Sequence, residues 1–226
     1  MISFQNVSRT YNLDEESKIT PVKNINLTVN RGEFILLIGR SGSGKTSLLN
    51  LAAGLVKPSS GTILIKNNDI WRLTDKQLSS LRAGTIGFVF QFPSLIPSLN
   101  VLENISLPVA FNFRMKKGSV YRRASDLLRK VGLGERMGVY PKQLSAGEQK
   151  RAVLARALMN DPEILLADEP TSDLDERTEQ EIMSILRELH SGGMTILMVT
   201  HSTGLIPHAS RTLKLEGGNL VGFTSA

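Results

Sequence analysis

The stretch Gly39-Arg40-Ser41-Gly42-Ser43-Gly44-Lys45-Thr46 narrows what this chain can fold into more than any other, because it is a glycine, four residues, then Gly-Lys-Thr. Before it, Phe34-Ile35-Leu36-Leu37-Ile38 is an unbroken apolar run of strand length; after it, Ser47 to Ala53 reads as a buried helix closed by Gly54. Strand, glycine loop and helix form the setting in which this spacing cradles phosphate. Glycines let main-chain N–H groups turn inward, and the helix N-terminus adds the positive end of its dipole. Lys45 reaches the outer phosphates, and the Thr46 hydroxyl offers a ligand for Mg²⁺. The candidate phosphate-binding set is therefore Gly39, Ser41, Gly42, Ser43, Gly44, Lys45, Thr46 and Ser47. The plainer alternative, a glycine-rich turn with one surface lysine, fits less well because every fixed position is met in the right context.

With 226 residues, 41% of them hydrophobic, the chain suits one α/β domain with room for a small subdomain. It has no cysteine, which excludes disulfides and cysteine metal sites and agrees with a reducing compartment. Its first residues lack the apolar core of a signal peptide, and no apolar run approaches the roughly 18–20 residues of a membrane span. Any role at a membrane must come through a partner. The net charge of +6 is uneven. Between Phe111 and Met137 stand eight cations (Arg114, Lys116, Lys117, Arg122, Arg123, Arg129, Lys130, Arg136) against two acids, and between Asp161 and Glu188 ten acids face two arginines. A solvated helical face explains the basic run better than a nucleic-acid contact or an anionic membrane surface, and the few aromatics there argue against a single-strand stacking platform.

In chain order, residues 2–7 and 24–29 alternate like half-buried antiparallel strands, with a polar loop from Asn12 to Ser17 and Tyr11 at its start. Tyr11 is either a base-stacking ring or ordinary strand-end packing. A helix is predicted over Leu73–Leu81, started by Thr74, and a strand over Thr85–Phe90 that delivers Gln91. From Phe92 to Tyr140 prolines punctuate short helical pieces, which predicts a helical subdomain inserted in the α/β core. Ser145 and Glu148 form a capping box before a helix over Gln149–Met159, and that helix N-terminus is a second candidate anion site. Glu163 to Ala167 is an apolar strand ending in Asp168 and Glu169. The first is placed to hold Mg²⁺ with the phosphate loop, the second to orient or deprotonate a water; the alternative is a strand capped by solvated acids. A helix over Glu176–Leu189, a core strand over Met194–Val199 that delivers His201, and a hairpin over Arg211–Val221 complete the chain.

This order of pieces resembles the nucleotide-binding subunit of an ABC transporter over nearly the whole chain. Leu144-Ser145-Ala146-Gly147-Glu148 is similar to that family's signature Leu-Ser-Gly-Gly-Gln. The resemblance implies an α/β P-loop NTPase core with a RecA-like parallel sheet, an antiparallel β subdomain and an inserted α-helical subdomain. One ABC ATPase domain would span 1–226, with 92–160 as the helical subdomain. It implies ATP as ligand, with Tyr11 on the adenine, Gln91 sensing Mg²⁺ and contacting the membrane partner, and Thr46, Gln91 and Asp168 around the metal. Glu169 would be the catalytic base, His201 the γ-phosphate switch, Lys45 a catalytic cation, and Ser172-Asp173-Leu174-Asp175 the loop that crosses a dimer interface. Ala146, Glu148 and Asp173 depart from the family pattern. The first two predict weakened rather than abolished signature function, the third an altered contact between subunits.

The stretches Ile86–Gln91, Leu95–Leu99 and Leu102–Pro108 resemble the branch containing lipoprotein-release, macrolide-export and cell-division ATPases. The implied mechanism sandwiches two ATP molecules between two subunits, identical or different, with Ser145 and Gly147 of one closing on the phosphates held by the other. That pair would drive an integral membrane permease from the cytoplasmic face of the membrane, for export or lipid extraction, with no nucleic acid as partner. The alternatives are force transmission to an extracytoplasmic enzyme, or a soluble ATPase acting on nucleic acid.

Overall fold

Apolar runs that do not alternate should become strands covered on both faces. In the computed structural model, which describes residues 1–12, 14, 17–111 and 117–225, they do. The strands and helices in order are β1 (Ile2–Asn12), β2 (Lys18–Val29), β3 (Phe34–Ile38), α1 (Lys45–Ala52), β4 (Ser60–Ile65), β5 (Asn68–Asp69), α2 (Asp75–Thr85), β6 (Ile86–Val89), α3 (Val101–Ser106), α4 (Lys117–Lys130), α5 (Ala146–Ala157), β7 (Ile164–Asp168), α6 (Glu176–Ser191), β8 (Thr195–Thr200), β9 (Arg211–Glu216) and β10 (Asn219–Ser225). A six-stranded sheet runs β10-β9-β3-β8-β7-β6, parallel except for β10, and a four-stranded antiparallel sheet runs β2-β1-β4-β5.

The two faces of the larger sheet serve different cores. Ile35, Leu37, Leu166 and Val199 pack with α1 against the antiparallel sheet. Leu36, Leu165, Ile196 and Met198 pack against α5 and α6, where Val153, Leu154, Ile182 and Leu186 meet them. A third cluster joins Val101 and Ile105 of α3, Ala124 and Leu128 of α4, and Ala152 and Ala155 of α5. Parallel order places the C-terminal ends of β3, β8 and β7 side by side, so the loops leaving them converge.

Several boundaries differ from the sequence expectation, each for a physical reason. β1 and β2 are longer than the alternating stretches 2–7 and 24–29, because register shifts after Phe4, Val7 and Arg9 break the two-residue period without ending the ladder. Asn6 and Asn24 take positive φ at these irregularities. Of the loop expected at 12–17, residues 13, 15 and 16 lie outside the described residues. The helix begun by Thr74 does carry a capping box with Gln77, but it runs to Thr85, and β6 follows at once. α5 starts at Ala146, three residues before the expected Gln149, and ends at Ala157 ahead of the expected Met159. The terminal hairpin also pairs in parallel with β3, which makes it part of the main sheet.

The basic run resolves into individual ion pairs. Arg123 donates to the carbonyls of Met159 and Leu158 and meets Asp161, Arg129 pairs with Asp126, and Lys130 with Glu188. Arg114 and Lys116 lie outside the described residues, as does the side chain of Lys117.

Candidate active site

The loop from Gly39 to Gly44 leaves β3 and enters α1, and its shape is fixed by Gly44. That residue has φ 106, and a Cβ there would overlap the carbonyl oxygen of Pro21 on β2. Only glycine fits. Lys45 is 6% exposed, and its ammonium donates to the carbonyls of Gly39 (2.8 Å) and Arg40 (3.1 Å), with Glu169 Oε1 at 3.8 Å. The Ser43 hydroxyl is buried without a hydrogen-bond partner, while Ser41, Gly42 and Thr46 are exposed. Ser41 to Ser47 line a cavity of about 340 Å³ together with Tyr11, Ile19, Pro21, Gln91 and Glu169. This volume is in the range of small-ligand sites.

Asp168 is the last residue of β7 and accepts a hydrogen bond from Thr46 Oγ1 at 3.2 Å. Burial pushes its carboxyl above the ordinary value, against the opposing pull of the Thr46 hydrogen bond and the Lys45 charge. Glu169 turns away with φ 45, its N–H bound to the carbonyl of Val199 on β8. That turn aims the side chain at the loop, and Oε2 meets His201 Nδ1 at 2.7 Å. His201 follows β8 directly and is 65% exposed.

Tyr11 is the penultimate residue of β1, paired with Ile19 of β2, and the Arg9 guanidinium lies 4.4 Å from its ring centroid. Arg9 does not border the cavity; Tyr11 does. Ser145 and Gly147 do not border it either. Ser145 is the N-cap of α5: its hydroxyl accepts from the Glu148 N–H at 3.2 Å, and its own N–H donates to Glu148 Oε2 at 2.8 Å. Glu148 Oε1 also receives Arg136 Nε at 3.2 Å. The Ser145 amide hydrogen bond does most to hold the Glu148 carboxyl below its usual range; burial opposes it, and the Arg136 charge adds a smaller pull in the same direction as the amide. Ala146 is exposed, whereas Gly147 is buried where a Cβ would overlap Thr178 Cγ2 of α6.

Two residues of this neighbourhood escaped the sequence reading. Lys150 of α5 is buried and donates to the main-chain carbonyl of Gln91, with the Glu169 carbonyl and Ser172 Oγ each at 3.4 Å. Burial lowers the pKa of its ammonium, and Asp173, Glu169 and Asp168 work the other way. Asn104 is fully buried and binds the Ile96 N–H and the carbonyls of Ile96, Leu99 and Asn100, which fixes the segment beyond Gln91. The available signal was a polar residue on an apolar helical stripe, Lys150 with Val153 and Leu154, and Asn104 with Val101 and Ile105.

The residues present fit both a polyphosphate and a hard divalent cation. Lys45 and the start of α1 supply positive charge at the cavity floor, and a hydroxyl and a carboxylate in contact are the oxygen donors that Mg²⁺ prefers. Among the described residues no three His, Cys, Asp or Glu side chains cluster as a metal cage, and no helix is long and apolar enough to cross a membrane.

The sequence profile of the ABC transporter family matches residues 22–172. An ABC transporter ATP-binding protein of Bacillus subtilis, YvrO, is 42% identical over 221 residues, covering 98% of this chain and 96% of that protein. A macrolide export ATP-binding/permease protein of Aggregatibacter actinomycetemcomitans is 41% identical over 209 residues, covering 92% of this chain and 32% of that longer protein. An ABC transporter ATP-binding protein of Methanocaldococcus jannaschii is 42% identical over 224 residues, covering 97% of this chain and 95% of that protein. Its solved structure, a dimeric post-hydrolysis state bound to ADP and Pi, matches with a TM-score of 0.93 at 38% identity, covering 100% of this chain and 98% of that one.

Proposed function

Since this chain belongs to the ABC transporter family as an ATP-binding subunit and ATPase, we propose that it works as half of a nucleotide sandwich that drives an integral membrane permease. The observation that carries this reading is the Glu169 carboxylate, held between Lys45 and His201 beside the Thr46–Asp168 contact. Gly39 to Ser47 bind the phosphates and Tyr11 stacks on the base. Lys45 offsets the negative charge that grows on the phosphoryl oxygens in the transition state. Glu169 orients the attacking water and takes its proton, and His201 fixes that carboxylate and touches the γ-phosphate. Thr46, Asp168 and Gln91 would hold Mg²⁺, which supplies further positive charge to the phosphate oxygens.

Ser145 and Gly147 stand outside the cavity of their own chain, and we assign them to the site of a second copy. Closure of two copies completes both sites. The membrane partner docks on the apolar groove formed by Leu55, Phe88, Phe90, Pro108 and Ala157, next to Gln91, where Phe92 is 71% exposed. The permease would thereby hold the subunit at the cytoplasmic face of the membrane. The likeness to macrolide-export proteins favours export as the direction.

Size-exclusion chromatography of Glu169→Gln with and without MgATP tests the sandwich. A shift from monomer to dimer that Ser145→Arg abolishes supports it; a monomer that binds ATP without shifting overturns the homodimer.

A further inference from the structure

Lys150 ties α5 to the ends of two neighbouring strands, β6 and β7, and to the turn that follows β7. Its ammonium, on a side chain 7% exposed, contacts the carbonyl of Gln91 after β6, the carbonyl of Glu169 after β7, and the hydroxyl of Ser172 in the turn toward α6. All these partners are neutral oxygens. A lysine kept for stability alone would pair with a carboxylate or reach solvent, since burying an ammonium is costly. The acids nearest in charge, Asp168, Glu169 and Asp173, surround it without a direct ion pair. Glu169 also needs an external hold, because a glutamate at φ 45 is strained. Its carbonyl receives Ser172 Oγ at 3.0 Å and the Ser172 N–H at 3.2 Å besides Lys150.

We propose that Lys150 is a positioning residue for hydrolysis: its ammonium fixes the main chain of Glu169, and so aims the carboxylate between Lys45 and His201, while binding the Gln91 carbonyl to the helix capped by Ser145. A movement of α5 then reaches the water-activating carboxylate through one cation. This rests on Glu169 acting as the base.

The test compares Lys150→Met, which keeps length and loses the donors, with Lys150→Arg, measuring ATP affinity, KM and kcat, each also in the Glu169→Gln background. Lys150→Met should lower kcat about 10–100-fold with KM and ATP affinity within about twofold, Lys150→Arg should recover most of the rate, and Lys150→Met should add no further loss to Glu169→Gln. Wild-type kcat in Lys150→Met, or a loss that multiplies with that of Glu169→Gln, overturns the proposal. Full activity of Glu169→Gln overturns instead the reading of Glu169 as base. Should Lys150→Met not fold, Lys150→Gln carries the test, with reduced kcat at unchanged KM supporting the role and unchanged kcat overturning it.

Discussion

Glu148 places a carboxylate next to the signature serine, in the position where a second copy would present it to a phosphate, and Arg136 is the residue that offsets it. The pair is 3.2 Å apart, with Glu148 17% exposed and Arg136 49% exposed. At that separation the gross Coulomb attraction is about 1 kcal/mol in water and about 5 kcal/mol at an effective dielectric of 20. Solvent and side-chain entropy reduce such rim pairs to a net of about 0.2–1 kcal/mol, so Arg136→Ala should scarcely lower Tm. Its effect on nucleotide-driven association should be larger. If exposing the Glu148 charge costs about 1 kcal/mol per phosphate site, two sites per sandwich weaken the dimer about 30-fold. Glu148→Gln keeps an amide oxygen for the Ser145 N–H and so preserves the capping box while removing the charge. The double variant Arg136→Ala/Glu148→Gln should therefore regain the affinity that Arg136→Ala loses. Sedimentation of all variants in the Glu169→Gln background across a MgATP titration measures this. Equal weakening in Arg136→Ala and the double variant would refute the charge argument and leave Arg136 only a packing role.

Three further outcomes follow from the geometry. Gly147→Ala should cost about 1–3 kcal/mol by overlap with Thr178 Cγ2, and Thr178→Ser, which removes that methyl and keeps the hydroxyl bonded to Asp175, should restore most of the Tm. Asp168→Asn should abolish hydrolysis yet raise Tm by about 2–4 °C at neutral pH. Because burial raises the Asp168 carboxyl in the folded state, its cost is absent where both states are protonated and grows as pH rises through the carboxylate range, so the Tm difference should vanish near pH 3 in a melting series. Arg9→Met should weaken ATP binding about 2–5-fold through loss of the cation above the Tyr11 ring, while tripolyphosphate binding in the same calorimetric assay stays unchanged.

Short-range signals carried most of the site into view. The spacing of Gly39, Gly44 and Lys45, the strand ending at Asp168 and the Ser145–Glu148 box are all local, and each stands in the structure as a loop, a strand end and a cap. What stayed hidden is non-local. The chain gives no sign that β9 pairs with β3, because a parallel partner is chosen by topology and leaves no turn signature. The bulges of β1 hid its true length behind a broken alternation. The contacts of Lys150 leave no local mark, because its partners lie 59, 19 and 22 residues away and none is an acid whose spacing could announce them.

The burial of Gly147 changes what a signature glycine is for in this chain. Its missing side chain lets α5 close on Thr178, and Thr178 is tied through both its N–H and its hydroxyl to Asp175, the N-cap of α6. Asp175 lies two residues beyond the turn that contains Ser172, and Ser172 holds the Glu169 carbonyl together with Lys150 of the same α5. Two rows of contacts, one through Gly147 and one through Lys150, thus bind the start of α5 to both ends of the segment 169–178. A packed unit of this kind moves as a whole, since close-packed side chains transmit displacement rather than absorb it. In the proposed sandwich, a second copy's nucleotide that pulls on Ser145 would then shift Glu169 in this copy, and this would couple the two hydrolytic sites mechanically.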